Sequence, residues 1–375
     1  MNIVLFIGTL HIGGAERQIM ELAAGLIDKG HRVLLVTIYP GGEFWEEGRS
    51  RFKGNLVSLY PNRGANSITR SIQLVIAPAK LQKLCSQFEI DVLYSMLHMA
   101  NLIAVLASWF SPWKLVWGYR ASNMKLNWKR AFPQRLCAWL SPKVSLLISN
   151  SLAGLHIAQE SGYSTRAVAV IHNGIDLNRF KYHHIGLPYS SGHVDRPVIG
   201  IVGRLDPMKG HEVFIRSARI VKDKFPSSRF IVIGKGGEDR RRFLIGIVRN
   251  NKLENDFVWV DGCSDPVKYL NEMDVFVLSS IYGEGSPNVL MEAMACNTPC
   301  VATDVGDVAM ISGELFPVVQ AGDSNQLAAA IISQIGIGRN NILRQRITEN
   351  YSLQVMTSKT EECLRNVTNP ARQNV

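Results

Sequence analysis

Short runs of Val, Ile and Leu recur along this chain, and between them lie longer stretches in which apolar residues return every three or four positions. Unbroken apolar runs suit strands buried on both faces, and the longer stretches suit amphipathic helices. The alternation therefore predicts parallel sheets covered by helices. Strands are expected at 3–7, 32–38, 92–95, 114–118, 146–149 and 167–171, then at 198–202, 229–233, 257–260, 275–278 and 300–303. Between the two series, "KYHHIGLPYSSGHVDR" (181–196) is polar, contains Gly and Pro, and has no period, which reads as a linker. The expected organisation is a domain at 1–180, the linker at 181–196, and a second domain at 197–340. A helical segment at 341–375, with no strand after it, is expected to pack back on the first domain. The fold class is α/β: two Rossmann-like, doubly wound domains facing a central cleft. In such folds ligands bind beyond the carboxyl ends of the strands.

Composition narrows the class. At 375 residues, 46% hydrophobic and 19% charged, the chain is globular and long enough for two cores. Its longest nearly apolar stretch, Leu102 to Phe110, falls far short of the roughly 20 residues that span a bilayer. The start, "MNIVLFIG", lacks a basic n-region and cleavage site and reads as a first strand. Cysteines at 85, 137, 263, 296, 300 and 363 have neither Cys-x-x-Cys nor zinc spacing, as expected of reduced thiols in a cytoplasmic protein.

Three loops carry candidate chemistry. After the first strand, Gly13 and Gly14 precede an amphipathic helix; backbone can approach a phosphate there, although a glycine pair also serves as a plain turn. In "IVGRLDPMKGHEV", Arg204 and Lys209 follow a buried strand ending at Gly203. Two cations converging on one diphosphate, or two exposed charges, both fit. In "SSIYGEGSPNVLMEAMACNTPCVATDVGD", Glu284 follows a strand and Glu292 lies eight residues later. Pro287 suits a first helical position, leaving the N–H groups of Asn288, Val289 and Leu290 for an anion. Glu292 is placed to accept from the two hydroxyls of a ribose; Glu284 suits those of a hexose, or serves as an acidic residue stabilising the helix dipole.

Taken together, Gly-Gly-Ala-Glu at 13–16, "ISNS" at 148–151, "IHNGID" at 171–176, "GRLDPMKG" at 203–210 and the Glu284/Glu292 pair resemble the retaining glycosyltransferases of family 4, also called group 1, with the GT-B fold. The resemblance implies a donor-binding C-terminal domain and an acceptor-binding N-terminal domain. Arg204 and Lys209 would hold the diphosphate of a nucleotide sugar, with UDP the expected base. Glu284, Gly285 and Ser286 would hold the sugar and Glu292 the ribose; Gly203, Asn288 and Val289 would line the nucleotide site. Gly14 would reach the diphosphate from the other domain. The resemblance further implies attack from the face the phosphate leaves, with no enzyme nucleophile, no cofactor and no metal. Two departures stand out: Arg120 replaces a frequent histidine, with His98 nearby as a candidate to share its contacts, and Asn297 replaces a glycine at a helix end.

The net charge of +10 lies wholly in residues 1–190, which hold 20 Lys+Arg against 10 Asp+Glu. Between Trp109 and Lys143, five tryptophans mix with seven basic residues. Trp with Lys and Arg fits a surface resting on lipid headgroups, so an anionic membrane surface and a lipid-linked acceptor are expected partners, with peripheral attachment at the inner face of the membrane. A solvated basic face, a soluble acceptor and a non-catalytic nucleotide-binding role stand as alternatives. No nucleic-acid-binding module is present, and no nucleic-acid partner is expected.

Overall fold

The computed structural model describes residues 1–11, 13–120, 128–183, 196–262 and 265–369; side chains of 128–131 are outside it. The chain forms two compact units, Met1–Gly174 with Leu353–Val375, and Ile175–Ser352.

The first unit runs β1 (Asn2–Ile7), α1 (Gly14–Asp28), β2 (Arg32–Thr37), α2 (Trp45–Phe52), β3 (Leu56–Ser58), α3 (Ser67–Gln87), β4 (Val92–Met96), α4 (His98–Ala107), β5 (Lys114–Tyr119), α5 (Trp128–Leu140), β6 (Leu146–Ser149), α6 (Leu152–Glu160) and β7 (Val168–Val170). The sheet order is β3-β2-β1-β4-β5-β6-β7 and every pairing is parallel. Successive side chains of β1 point to opposite faces. Val4 and Phe6 join the core under α3, α4 and α5, whereas Ile3, Leu5 and Ile7 join the core under α1.

The second unit runs β8 (Val198–Val202), α7 (His211–Lys224), β9 (Arg229–Ile233), α8 (Glu238–Asn250), β10 (Phe257–Val260), α9 (Val267–Glu272), β11 (Val275–Leu278), α10 (Asn288–Ala295), β12 (Cys300–Thr303), α11 (Val308–Ser312), β13 (Val318–Val319), α12 (Ser324–Gln334) and α13 (Ile342–Asn350). Its order is β10-β9-β8-β11-β12-β13, again all parallel. A last helix, α14 (Leu353–Thr368), belongs to the first unit and packs on α1, where Gly25 leaves room for Thr357.

The predicted strands all form. Two more, β3 and β13, sit at sheet edges and have only three and two residues. The boundaries differ from those expected. Residues 175–180 belong to the second unit, because Phe180 enters its core and Arg344 donates to the carbonyls of Leu177 and Phe180 at 2.7 and 2.6 Å. Within the 341–375 segment, α13 stays with the second unit and α14 alone returns to the first. Strand order reverses at β1/β4 and at β8/β11. Those two switch points are where a doubly wound sheet opens a crevice for a ligand.

Candidate functional site

In the second unit the switch point is built from the loops after β8 and β11. They are locked together: Ile281 N–H donates to Met208 O at 2.8 Å, and Ser279 Oγ donates to Lys209 O at 2.9 Å. Gly210 has φ 63°, and a Cβ there would lie 2.0 Å from Ser279 O, so only glycine allows this approach. Gly306 plays the same part on the other side, where a Cβ would meet Glu284 O at 2.2 Å.

The lock brings two of the predicted residues into contact. Lys209 Nζ donates to Glu284 Oε1 at 2.5 Å, and Ser280 Oγ donates to the same oxygen at 2.6 Å. Both charged side chains are largely buried, at 15% and 7% exposure. Arg204 is exposed and its side chain makes no hydrogen bond or ion pair among the described residues, and Gly203 is tied back to β9 by its N–H to Ile233 O at 2.9 Å. Ser286 is buried and Gly285 O accepts from Asp307 N–H at 3.1 Å.

Pro287 is the N-cap of α10 rather than its first helical residue, so Asn288, not Pro287, opens the helix. Asn288 and Val289 are half-buried in its first turn, the turn whose N–H groups precede any intrahelical acceptor. One turn on, Glu292 is half-buried; its carbonyl accepts from Cys296 N–H at 3.1 Å, and its side chain makes no hydrogen bond among the described residues. Burial pushes its carboxyl up to about 7, with Arg179 pulling it down and Asp265 pushing it further up. Arg179 and Asp265 themselves pair at 3.3 Å. Asn297 adopts φ 56°, as an asparagine tolerates, and its side chain joins Asn341 and the N–H of Arg344.

In the first unit, Gly14 is exposed at the start of α1, but Glu16 folds back over the N-terminus: a Cβ on Gly13 would lie 2.2 Å from Glu16 Oε2. Burial raises the Glu16 carboxyl above its usual range. The glycine pair thus presents a helix start already covered by its own carboxyl. His98 opens α4, half-buried, with Nδ1 3.5 Å from Tyr163 Oη and its ring edge-on to Tyr119; burial holds it below its usual range. Arg120, just past β5, donates from Nη1 to Asn173 Oδ1 at 2.5 Å. Gln18 grips the backbone N–H and C=O of Gly174 in "IHNGID", each at 2.9 Å, so that motif fastens α1.

The tryptophan segment divides. Trp113 and Trp117 are core residues, whereas Trp109 and Trp139 are exposed and Lys143 lies over the Trp109 ring at 5.1 Å. Trp128, Lys125, Lys129 and Arg130 lie outside the described side chains. Sequence reasoning missed a second apolar surface. On α3, Ile68, Ile72, Val75 and Ile76 are exposed at i, i+4, i+7 and i+8, and the helix is held to the core by Ala77, Leu81 and Cys85. Ser280, Arg179 and Asp265 were also missed.

Comparison with known proteins identifies the family. Residues 12–179 match the model for Glycosyltransferase Family 4 and residues 196–336 that for Glycosyl transferases group 1. The chain belongs to the group 1, family 4 glycosyltransferases. It is 28% identical over 249 residues to the N-acetylgalactosamine-N,N'-diacetylbacillosaminyl-diphospho-undecaprenol 4-alpha-N-acetylgalactosaminyltransferase of Campylobacter jejuni, covering 64% of each chain. It is 25% identical over 329 residues to the phosphatidyl-myo-inositol mannosyltransferase of Mycolicibacterium smegmatis, covering 85% of this chain and 80% of that one. The first of these matches thus spans less than two thirds of its relative. Among solved structures, HepE of Anabaena in complex with UDP superposes with a TM-score of 0.80 at 20% identity, over 98% of this chain and all of that one.

Proposed function

We propose that this protein is a retaining, metal-independent glycosyltransferase that moves a sugar from a UDP-sugar to a lipid-linked saccharide in cell-envelope polysaccharide or glycoconjugate assembly. The observation that carries the donor half is the Lys209–Glu284 contact at the β8/β11 switch point, beside the first turn of α10. Cleaving a glycosyl phosphate leaves positive charge on the sugar and negative charge on the diphosphate. Lys209, Arg204 and the α10 N-terminus are suited to take that negative charge. Preorganised stabilisation of a departing anion usually lowers such a barrier more than any other effect. Glu284, already tied to Lys209 and Ser280, suits hydrogen bonding to sugar hydroxyls better than nucleophilic attack. Glu292 serves the ribose. With no enzyme nucleophile, the acceptor hydroxyl attacks from the face the diphosphate leaves, and a diphosphate oxygen takes its proton. UDP as the base is supported by the nucleotide held by HepE.

The acceptor half rests on the first unit. That unit holds 21 Lys+Arg against 11 Asp+Glu, while the second holds 20 against 20. The helices α3, α4 and α5 share one sheet face and one core. That face exposes Ile68, Ile72, Val75, Ile76, Leu106, Trp109, Phe110, Phe132 and Trp139. Apolar side chains beside basic ones are what an anionic headgroup layer accepts. No helix among the described residues is long and apolar enough to cross a membrane. The lipid-linked acceptor is supported by the lipid acceptors for which the Campylobacter and Mycolicibacterium relatives are named. Calorimetric titration with UDP, GDP and ADP tests the donor assignment: UDP is expected to bind at least tenfold more tightly than the others, and a preference for GDP or ADP would replace the base.

A further inference from the structure

Arg120 is half-buried, and among the described residues no counter-charge stands beside it. It stands at the carboxyl end of β5, whose Gly118 pairs in register with Met96 of β4, so it lies on the strand-end rim of the sheet. Its partners are neutral. Nη1 donates to the buried Asn173, and the fully buried Tyr94 phenol lies beside the guanidinium, which pulls against the burial that raises that phenol. Nε is shut off from water and donates to nothing among the described residues. The sequence has no Asp or Glu between Asp91 and Glu160, and among the described residues no carboxylate lies within ion-pair reach of Arg120. In the side-chain cluster around Tyr119, burial pushes the Tyr119 phenol and the Cys137 thiol up to about 12, raises Tyr163, and lowers His98. Each is neutral at pH 7, so none offsets the guanidinium.

A half-buried charge without an ion-pair partner is costly, and a guanidinium held only by neutral groups still has N–H groups on its outer edge to offer an anion. We propose that Arg120 is the receptor for an oxyanion carried by the acceptor: a phosphate ester or a sugar carboxylate, held by the guanidinium fork. The inference rests on reading the first unit as the acceptor-binding one. It makes the acceptor an anionic molecule and gives Asn173 the part of a positioning residue that aims the guanidinium.

The test uses the full chain carrying Arg204→Ala and Lys209→Ala, so that the donor site does not compete for anions. Calorimetry with methyl phosphate, sodium glucuronate and neutral methyl glucoside reads the site directly. At least one anion is expected to bind and the neutral sugar is not; methyl phosphate binding more tightly assigns a phosphate-bearing acceptor, and glucuronate an acidic sugar. Adding Arg120→Gln is expected to weaken anion binding at least tenfold, with Arg120→Lys intermediate. Its melting temperature should equal or exceed the parent's, because an uncompensated charge has been removed. No anion binding by the parent, or unchanged binding in Arg120→Gln with a lowered melting temperature, would overturn the proposal and leave Arg120 a structural donor to Asn173. UDP binding by the wild type, read in the same instrument, reports separately on the donor site.

Discussion

Lys209 Nζ and Glu284 Oε1 stand 2.5 Å apart, although the residues are 75 positions apart in sequence and sit on loops after different strands. The contact exists because β8 and β11 are neighbours in the sheet and because Gly210 lets one loop ride against the carbonyl of Ser279. It links the two parts the proposed reaction needs, a cation for the leaving group and a carboxylate for the sugar.

Removing one member of a largely buried pair leaves the other charge unpaired, at a cost of about 3–5 kcal/mol. Lys209→Ala should therefore lower the melting temperature, and adding Glu284→Gln should recover most of the loss. Thermal unfolding of the two single variants and the double variant checks this; equal destabilisation by Lys209→Ala with and without Glu284→Gln would mean the contact carries no coupling.

Arg204 behaves differently. It is exposed and its side chain has no ion-pair partner among the described residues, so Arg204→Ala should change stability by no more than about 0.5 kcal/mol. If its charge is most useful as the diphosphate departs, kcat should fall about a hundredfold, near 3 kcal/mol, with little change in donor KM. A raised KM with unchanged kcat would make it a ground-state anchor.

Glu292 gives a pH signature. Its carboxyl is raised from 4.5 to about 7 in the folded protein. Such a group contributes stability that is full below about pH 4.5 and is lost as pH rises through 7. The wild type should therefore lose stability over that window relative to Glu292→Gln. Ribose hydroxyls would donate to the carboxylate and favour it, so UDP affinity should rise more steeply from pH 6 to pH 8 in the wild type than in Glu292→Gln, where only the terminal phosphate of UDP titrates. Melting curves with and without UDP at both pH values check both signs.

Much of this was legible in the sequence, for reasons the residues make plain. Buried parallel strands announce themselves as apolar runs, and the candidate side chains sit on the loops that follow them. Arg204, Lys209 and Glu284 could be located that way, even though sequence alone carried no sign that only Lys209 meets Glu284. What escaped was either too short or folded against expectation. β3 and β13 have too few residues for a period, and the core side of α3 uses Ala77, Leu81 and Cys85 while larger residues face outward. Glu16 turned back over Gly13 because a carboxylate three residues into a helix can reach its free N–H groups.

The α3 face supplies the membrane prediction. Val75 and Ile72 are 79% and 52% exposed, so Ile72→Glu with Val75→Glu should leave the melting temperature nearly unchanged. Co-sedimentation with anionic vesicles should fall in that variant. In the wild type it should weaken with salt, since each Lys or Arg near the surface contributes about 1 kcal/mol over a Debye length of about 8 Å. Charge reversal at Lys125, Lys129 and Arg130 should also reduce it. Wild-type protein that ignores anionic vesicles at low salt would leave the basic unit an ordinary solvated face.

The central claim is that this chain cleaves a UDP-sugar using its own cations. The direct measurement is release of UDP from a panel of UDP-sugars, with and without excess chelator, by the wild type and by Arg204→Ala with Lys209→Ala. Release is expected from at least one UDP-sugar, undiminished by chelator and reduced at least a hundredfold in the double variant. Release that vanishes with chelator and returns with magnesium or manganese, or that persists in the double variant, would contradict it.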